Sequence, residues 1–269
     1  MNRFNNKVVI ITGGSNGLGA DIATTIAANG AFVYILDIDQ KNGKEVSSLI
    51  CNSGGMAEFI YADILDYELL KLLVYRINSK HSKIDILINN AGGALPDDDK
   101  IYNLSSNTWN HSMNINLNGH FYCSKAVLPY MQKNCSGVIT NIGSVNGSFS
   151  YGNPSYSAAK SALISLTKSI AVEYGKYGIR CNIVIPGTMK TLAWSERVKF
   201  KPDLFEKLSK WYPIGRVAEL QEITAAICFL SSDEASFITG TSLIVDGGLT
   251  AAGDSLLREE IAIKNEEVT

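Results

Sequence analysis

The run Thr12-Gly13-Gly14-Ser15-Asn16-Gly17-Leu18-Gly19 sits between a β-rich apolar segment and a helical one, and it constrains this chain more than any other feature. Glycines at this spacing let a strand turn sharply into a helix. Gly13 and Gly17 allow the backbone to approach a ligand without a Cβ in the way, and Gly19 lets the helix pack close to the sheet. The helix N-terminus then presents free N–H groups and a partial positive charge, which suit a pyrophosphate. Such a loop alone is weak evidence, because glycine-rich turns also serve packing only. Here strand, loop, helix and a second strand follow in the required order.

Along the chain, short Val/Ile/Leu-rich runs alternate with longer helical stretches, the pattern of a parallel sheet with crossover helices. Strands are predicted at 7–12, 32–37, 57–63, 84–89, 138–142, 180–185 and 242–245, and helices at 18–29, 41–52, 67–80, 108–132, 155–174 and 219–230. Gly30 follows the first helix as a C-terminal cap. The expectation is one α/β domain over 1–250, doubly wound and of Rossmann type, with about seven parallel strands and helices on both faces, then an extension over 251–269. Two connections are long. The first, 93–106, carries Asp97-Asp98-Asp99. The second, 187–215, holds Met189, Leu192, Trp194, Phe200, Phe205, Trp211 and Tyr212, and reads as a substrate lid.

A length of 269 residues with 46% hydrophobic content suffices for one core. The net charge of −2 with no basic cluster argues against a nucleic-acid partner, and no long apolar run suggests a membrane span. The five cysteines show no Cys-x-x-Cys, and His81, His111 and His120 lack ligand spacing. Reduced thiols, no protein-bound metal and a cytoplasmic setting are therefore expected.

Asp37 closes the second predicted strand, about 20 residues past the glycine loop, where a carboxylate accepts from the adenosine ribose hydroxyls. It would repel a 2′-phosphate, and Ser15, Asn16 and Ile38 supply no compensating cation, so NAD is expected over NADP. Further on, Tyr156 and Lys160 lie four residues apart on one helix face. A nearby ammonium, together with an oxidised nicotinamide ring, would favour the phenolate, which can take a proton from an alcohol and return it in reverse. The spacing is not specific, since Tyr67 and Lys71 repeat it in a polar helix read as surface.

The motif set as a whole is specific. Thr12–Gly19, Asp63, Asn89-Asn90-Ala91-Gly92, Asn116, Ile142-Gly143-Ser144, Tyr156-x-x-x-Lys160, Pro186-Gly187 and Asp246-Gly247-Gly248 occur in order, and over roughly residues 6–248 the chain resembles the short-chain dehydrogenase/reductase family. The resemblance implies hydride transfer between a nicotinamide dinucleotide and a secondary alcohol or ketone. It also implies the catalytic set Asn116, Ser144, Tyr156 and Lys160, with Ser144 holding the substrate oxygen, Lys160 the nicotinamide ribose, and Asn116 supporting a water-linked proton path to Lys160. Gly13, Ser15, Asn16, Gly17, Leu18, Gly19, Asp37, Asp63, Ile64, Asn90, Ala91, Gly92, Tyr156, Lys160, Pro186, Gly187 and Thr188 would meet the cofactor, with Asn90 also stabilising the central sheet. Relatives are commonly tetramers, so a homotetramer is expected. Gly143 departs from the family, many members of which carry a second serine there.

The substrate end is expected around Ser144, Asn146, Tyr156, Met189 and Trp194, with Phe149, Tyr151 and Trp211 making it fairly apolar, which suits a bulky or cyclic alcohol. Two alternatives stand beside this reading: an NADPH-dependent 3-oxoacyl-thioester reductase, and a protein that binds the dinucleotide without turnover. In the extension, Leu256, Leu257 and Ile261 form an apolar stripe that could dock on a neighbouring subunit or the lid, or fray.

Overall fold

The structure is a computed structural model that describes residues 3–149, 151–191, 194 and 198–252. The expected stripe of the extension, with Leu192, lies outside the described residues. Strand β1 (Val8–Thr12) is buried along its whole length. Its alternate side chains enter two separate cores: Val8 and Ile10 pack with Leu73, Val127 and Met131, while Val9 and Ile11 pack with Ile22, Ile26 and Ile227. A strand apolar on both faces needs a helical layer on each. Full burial of one such side chain contributes about 2 kcal/mol.

Six further strands complete the sheet: β2 (Phe32–Asp37), β3 (Met56–Tyr61), β4 (Ile86–Asn89), β5 (Gly137–Ile142), β6 (Ile179–Pro186) and β7 (Ser242–Val245). Their order is β3-β2-β1-β4-β5-β6-β7, and every pairing is parallel. Helices α1 (Gly17–Ala28), α2 (Gln40–Asn52) and α8 (Leu220–Ser231) contribute to one core. Helices α3 (Tyr67–His81), α5 (Gly119–Lys133) and α6 (Pro154–Tyr174) contribute to the other. This is the doubly wound, single-domain fold expected. The order reverses between β1 and β4, where Thr12 pairs with Asn89, so their C-terminal ends frame a crevice.

Local chemistry sets the boundaries. Gly30, at φ 95°, follows the last turn of α1, and its N–H and that of Ala31 return to the carbonyls of Ala27 and Ile26. That is the glycine cap read from sequence. The predicted helix 108–132 proves to be three pieces: α4 (Ser106–Met113), a π turn over Asn114–Asn118, and α5. Gly119 follows the turn directly, and no proline lies within it. Its centre is Asn116, whose fully buried side chain reaches out of the helix to Gly93. Within the 187–215 connection, Leu204–Ser209 form a short helix, α7, that apolar periodicity did not single out.

The centre of the sheet is polar at one point. Asn89, fully buried, donates to Asn141 Oδ1 at 2.9 Å and to Ser124 Oγ at 3.1 Å, and Asn141 in turn donates to Thr167 Oγ1 at 2.9 Å. These bonds tie β4 and β5 to α5 and α6. All five cysteines are free, Cys123, Cys181 and Cys228 being buried and Cys51 and Cys135 exposed. Among the described residues, no helix is long and apolar enough to cross a membrane. Replacing Asn89 by Ala strands the Asn141 acceptor and should cost about 1–3 kcal/mol, read as a lower thermal or denaturant midpoint.

Candidate active site

A cavity of about 1210 Å³ runs over the C-terminal ends of the strands, from Asp37 and Ile38 past Gly13, Ala91 and Gly92 to Ser144, Tyr156 and Lys160. It brings together nearly all the residues expected at the site.

At the crevice, the glycines act differently from the expectation. Gly17, at φ 50°, faces open space, so its backbone is free to approach a ligand. A Cβ on Gly13, at φ 65°, would stand 2.7 Å from Ala91 Cα, so this position secures the seam between the loop and the end of β4. A Cβ on Gly19 would collide with the carbonyl oxygen of Gly13 and lie 2.5 Å from Asn90 Nδ2. Gly19 therefore packs on the loop itself, not on the sheet. Asn90 holds that loop: its Nδ2 donates to Gly13 O at 2.8 Å and to Thr12 O at 3.1 Å, while Thr12 Oγ1 accepts from the N–H groups of Asn90 and Ala91. Asn90 thus joins the ends of the central strands β1 and β4, and Asn89 adds the buried bonds within the sheet.

Asp37 has one carboxylate oxygen on the N–H of Ser15 at 3.0 Å and the other on the N–H of Asp39 at 3.0 Å. Each oxygen keeps a second lone pair, so the group can still accept from a diol. Ser15 is 2% exposed and does not line the cavity, because its hydroxyl turns inward to the carbonyl of Asp39. Ser15 ties the glycine loop to the end of β2. Asn16 faces the cavity and donates to Asp39 Oδ2 at 3.1 Å. Asp63 and Ile64 border the same end, with Gly119 leaving room for Ile64.

At the far end, β5 delivers Ser144 and α6 delivers Tyr156 and Lys160. The Ser144 hydroxyl favours the ionised form of the Tyr156 phenol, and it accepts the Asn146 N–H at 3.2 Å. The ammonium of Lys160 is 5.7 Å from the Tyr156 ring centre and donates to the carbonyl of Ile142 at 2.8 Å. Lys160 is 3% exposed, and burial lowers its pKa to about 7. Burial also pushes the Tyr156 phenol above its ordinary value, opposed by the Ser144 hydroxyl. In the protein alone, desolvation of the phenol is the dominant influence on Tyr156. His120, also buried, sits beside Lys160 and is pushed down to about 3 by burial and then by that cation, against its bond to the Ala91 carbonyl.

Asn116 stands behind the Gly92-Gly93 turn. Its Oδ1 accepts from Gly93 N at 2.9 Å and its Nδ2 donates to Gly93 O and Ser112 O, both at 3.0 Å. The amide of Asn146 is likewise engaged, with Gly152 O and Ser157. Met189, Trp194, Tyr151 and Trp211 line the substrate end, but Phe149 does not; it lies 46% exposed against Tyr151. Pro186, Gly187 and Thr188 close the wall, and Tyr212, read from sequence only as lid bulk, accepts the Thr188 N–H on its hydroxyl at 2.8 Å. Sequence reasoning also missed Gly147, where a Cβ would press within 2.8 Å of the Lys160 backbone. The Tyr67–Lys71 pair lies on α3 with Lys71 bonded to Glu68, at the surface as expected. Among the described residues, no cluster of His, Cys, Asp or Glu could hold a metal ion.

The residues suit a dinucleotide: a glycine bend with open space at Gly17, a helix N-terminus, a carboxylate with lone pairs to spare, and a buried cation at the other end. A single cavity spanning these groups belongs to a dinucleotide-dependent oxidoreductase. The family profile described as Enoyl-(Acyl carrier protein) reductase matches residues 13–250, and the chain belongs to the short-chain dehydrogenase/reductase family, whose dehydrogenases use NAD(P). It is 34% identical to meso-2,3-butanediol dehydrogenase of Serratia marcescens over 93% of this chain and 97% of that one. It is 35% identical to 7alpha-hydroxysteroid dehydrogenase of Bacteroides fragilis, over 93% of this chain and 96% of that one. The crystal structure of a short-chain dehydrogenase/reductase family oxidoreductase from Burkholderia thailandensis superimposes with TM-score 0.86 at 36% identity, over 96% of this chain and 98% of that one.

Because its side chain would strike the loop carbonyl, Gly19→Ala should abolish dinucleotide binding, measured by NADH fluorescence. Gly17→Ala meets no protein atom but sets a methyl group where the backbone would approach the ligand, so it should weaken binding by at least about 5–30-fold, the ~1–2 kcal/mol of positive-φ strain alone.

Proposed function

We propose that the chain is an NAD-dependent dehydrogenase that interconverts a secondary alcohol and its ketone, the substrate being bulky or cyclic and largely apolar. The observation that carries this reading is the Ser144–Tyr156 pair backed by buried Lys160 at one end of a cavity whose other end is Asp37. When bound, the dinucleotide would supply the acceptor or donor of hydride. Ser144 would donate a hydrogen bond to the substrate oxygen and hold it beside Tyr156. In oxidation the phenolate oxygen of Tyr156 would take the hydroxyl proton as the carbon-bound hydrogen leaves with its electron pair; in reduction the phenol would return it. Lys160 would hold ribose hydroxyls and supply positive charge. Asn116 would serve by clamping Gly92-Gly93 against the cavity.

The aromatic wall of Tyr151, Trp194 and Trp211 supports an apolar substrate, as does the steroid named for the Bacteroides relative, while the butanediol of the Serratia relative supports a secondary alcohol. Asp37 and Asp39 put two carboxylates at the ribose end, and Lys160 is the sole lysine or arginine among the described lining residues, which favours NAD over NADP. Exposed Phe121, Val172 and Ile244 on α5, α6 and β7 support a homotetramer, and the free cysteines suit the cytoplasm.

A screen of NADH production over cyclic alcohols, steroids, polyols and hydroxy acids tests the substrate class. Turnover confined to hydroxy acids or thioesters would overturn it. Tyr156→Phe should keep NADH bound and lose at least ~10²-fold in turnover. Because the phenol is raised, wild-type alcohol oxidation should climb from neutral to alkaline pH while ketone reduction falls, read as initial rates in both directions. Asp37→Ala should narrow the preference for NAD over NADP by at least about 10-fold in kcat/KM, equivalent to ~1.4 kcal/mol. A native enzyme that already prefers NADP would refute the cofactor assignment.

A further inference from the structure

Of the three consecutive aspartates in the long connection after β4, only the middle one is buried: Asp98 is 3% exposed, whereas Asp97 and Asp99 are at the surface. Its Oδ1 accepts the N–H of Ser155 at 3.1 Å and its Oδ2 accepts the N–H of Tyr156 at 2.9 Å. Helix α6 cannot make these bonds for itself. Its N-cap residue, Asn153, is left-handed at φ 52° and makes no side-chain cap, and Pro154 has no N–H to offer. Instead, Asn153 donates to the main-chain carbonyl of Asp98 at 2.9 Å. A carboxylate from a remote loop thus holds the first two free N–H groups of the helix, at its positive end. The same loop is fastened twice more. Asp97 accepts from Thr108 Oγ1 at the start of α4, and Gly93 is clamped by Asn116 next to the cavity wall.

We propose that Asp98 is a positioning residue for Tyr156: by gripping the tyrosine's own amide, it sets where the phenol stands relative to Ser144 and ties that placement to the 93–106 loop that walls the cavity. The proposal rests on Tyr156 as the proton-transfer group. A displacement of about 1 Å between reacting groups can reduce a rate by about 10²-fold, so the grip matters more to turnover than to folding.

The test uses the full chain, on the best alcohol from the screen above, with turnover expressed per NADH-binding site titrated by fluorescence. Asp98→Ala should lower kcat per titrated site by at least ~10-fold while the NADH Kd stays within ~3-fold, because the residues at the pyrophosphate and adenosine end are untouched. Asp98→Asn, which keeps one acceptor and the shape, should fall between Ala and wild type, and it carries the test if Asp98→Ala does not fold. Asp99→Ala, at the exposed neighbour, should match wild type. A lower melting temperature with unchanged kcat per titrated site would mean that Asp98 is a helix cap only, and would overturn the proposal. Tyr156→Phe run alongside separates the two claims. If it retains turnover, the proton-transfer reading fails; if it is inactive while Asp98→Ala is fully active per site, only the positioning proposal fails.

Discussion

The structure depends on the seam where β1 and β4 end side by side. Asn90 reaches across it to the carbonyls of Thr12 and Gly13, and Thr12 answers with its hydroxyl on two N–H groups of the other strand end. The seam sits at the switch point of strand order, where crossovers leave to opposite faces of the sheet and a crevice must open. Gly13 and Gly19 are there because the backbones meet so closely that a methyl group would separate them. With the seam closed, α1 points its N-terminus into the crevice and Asp37 is drawn against the loop through Ser15.

At the other end of the cavity, burial dominates the chemistry. Lys160 lies in a place where the charged form is disfavoured, and its Nζ donates to a backbone carbonyl, not to a carboxylate. Tyr156 is raised for the same reason, so the protein by itself holds the pair as a phenol beside a weakened ammonium. The field that would draw off the phenolic proton must exceed this desolvation. Enclosure is useful in return, because charge interactions in a water-poor cavity are stronger than at the surface.

Two side chains described in chemical terms from the sequence, Ser15 and Asn116, are bonded to nearby backbone away from the cavity, whereas Asn146 lines it with its amide nitrogen on Gly152 O and Ser157 Oγ. Conversely, Tyr212, Gly147 and Asp98 gave no usable signal. Nothing in Asp97-Asp98-Asp99 distinguishes the middle residue, and its partners are 57 and 58 positions away. The π turn at Asn116 was hidden in the same way, since the bond that distorts the helix runs to a glycine 23 residues back.

The sequence by itself determined the strand-and-helix alternation, the parallel class of the sheet, the glycine bend and the pairing of Tyr156 with Lys160. Each of these follows from periodicity, from backbone freedom or from one helical turn, all of which act between near neighbours in the chain. The tertiary structure alone decided which of those polar groups face the cavity, how far burial shifts Tyr156 and Lys160, and which distant carboxylate holds the start of α6. Those outcomes depend on desolvation and on hydrogen bonds between segments that meet only when the sheet has assembled.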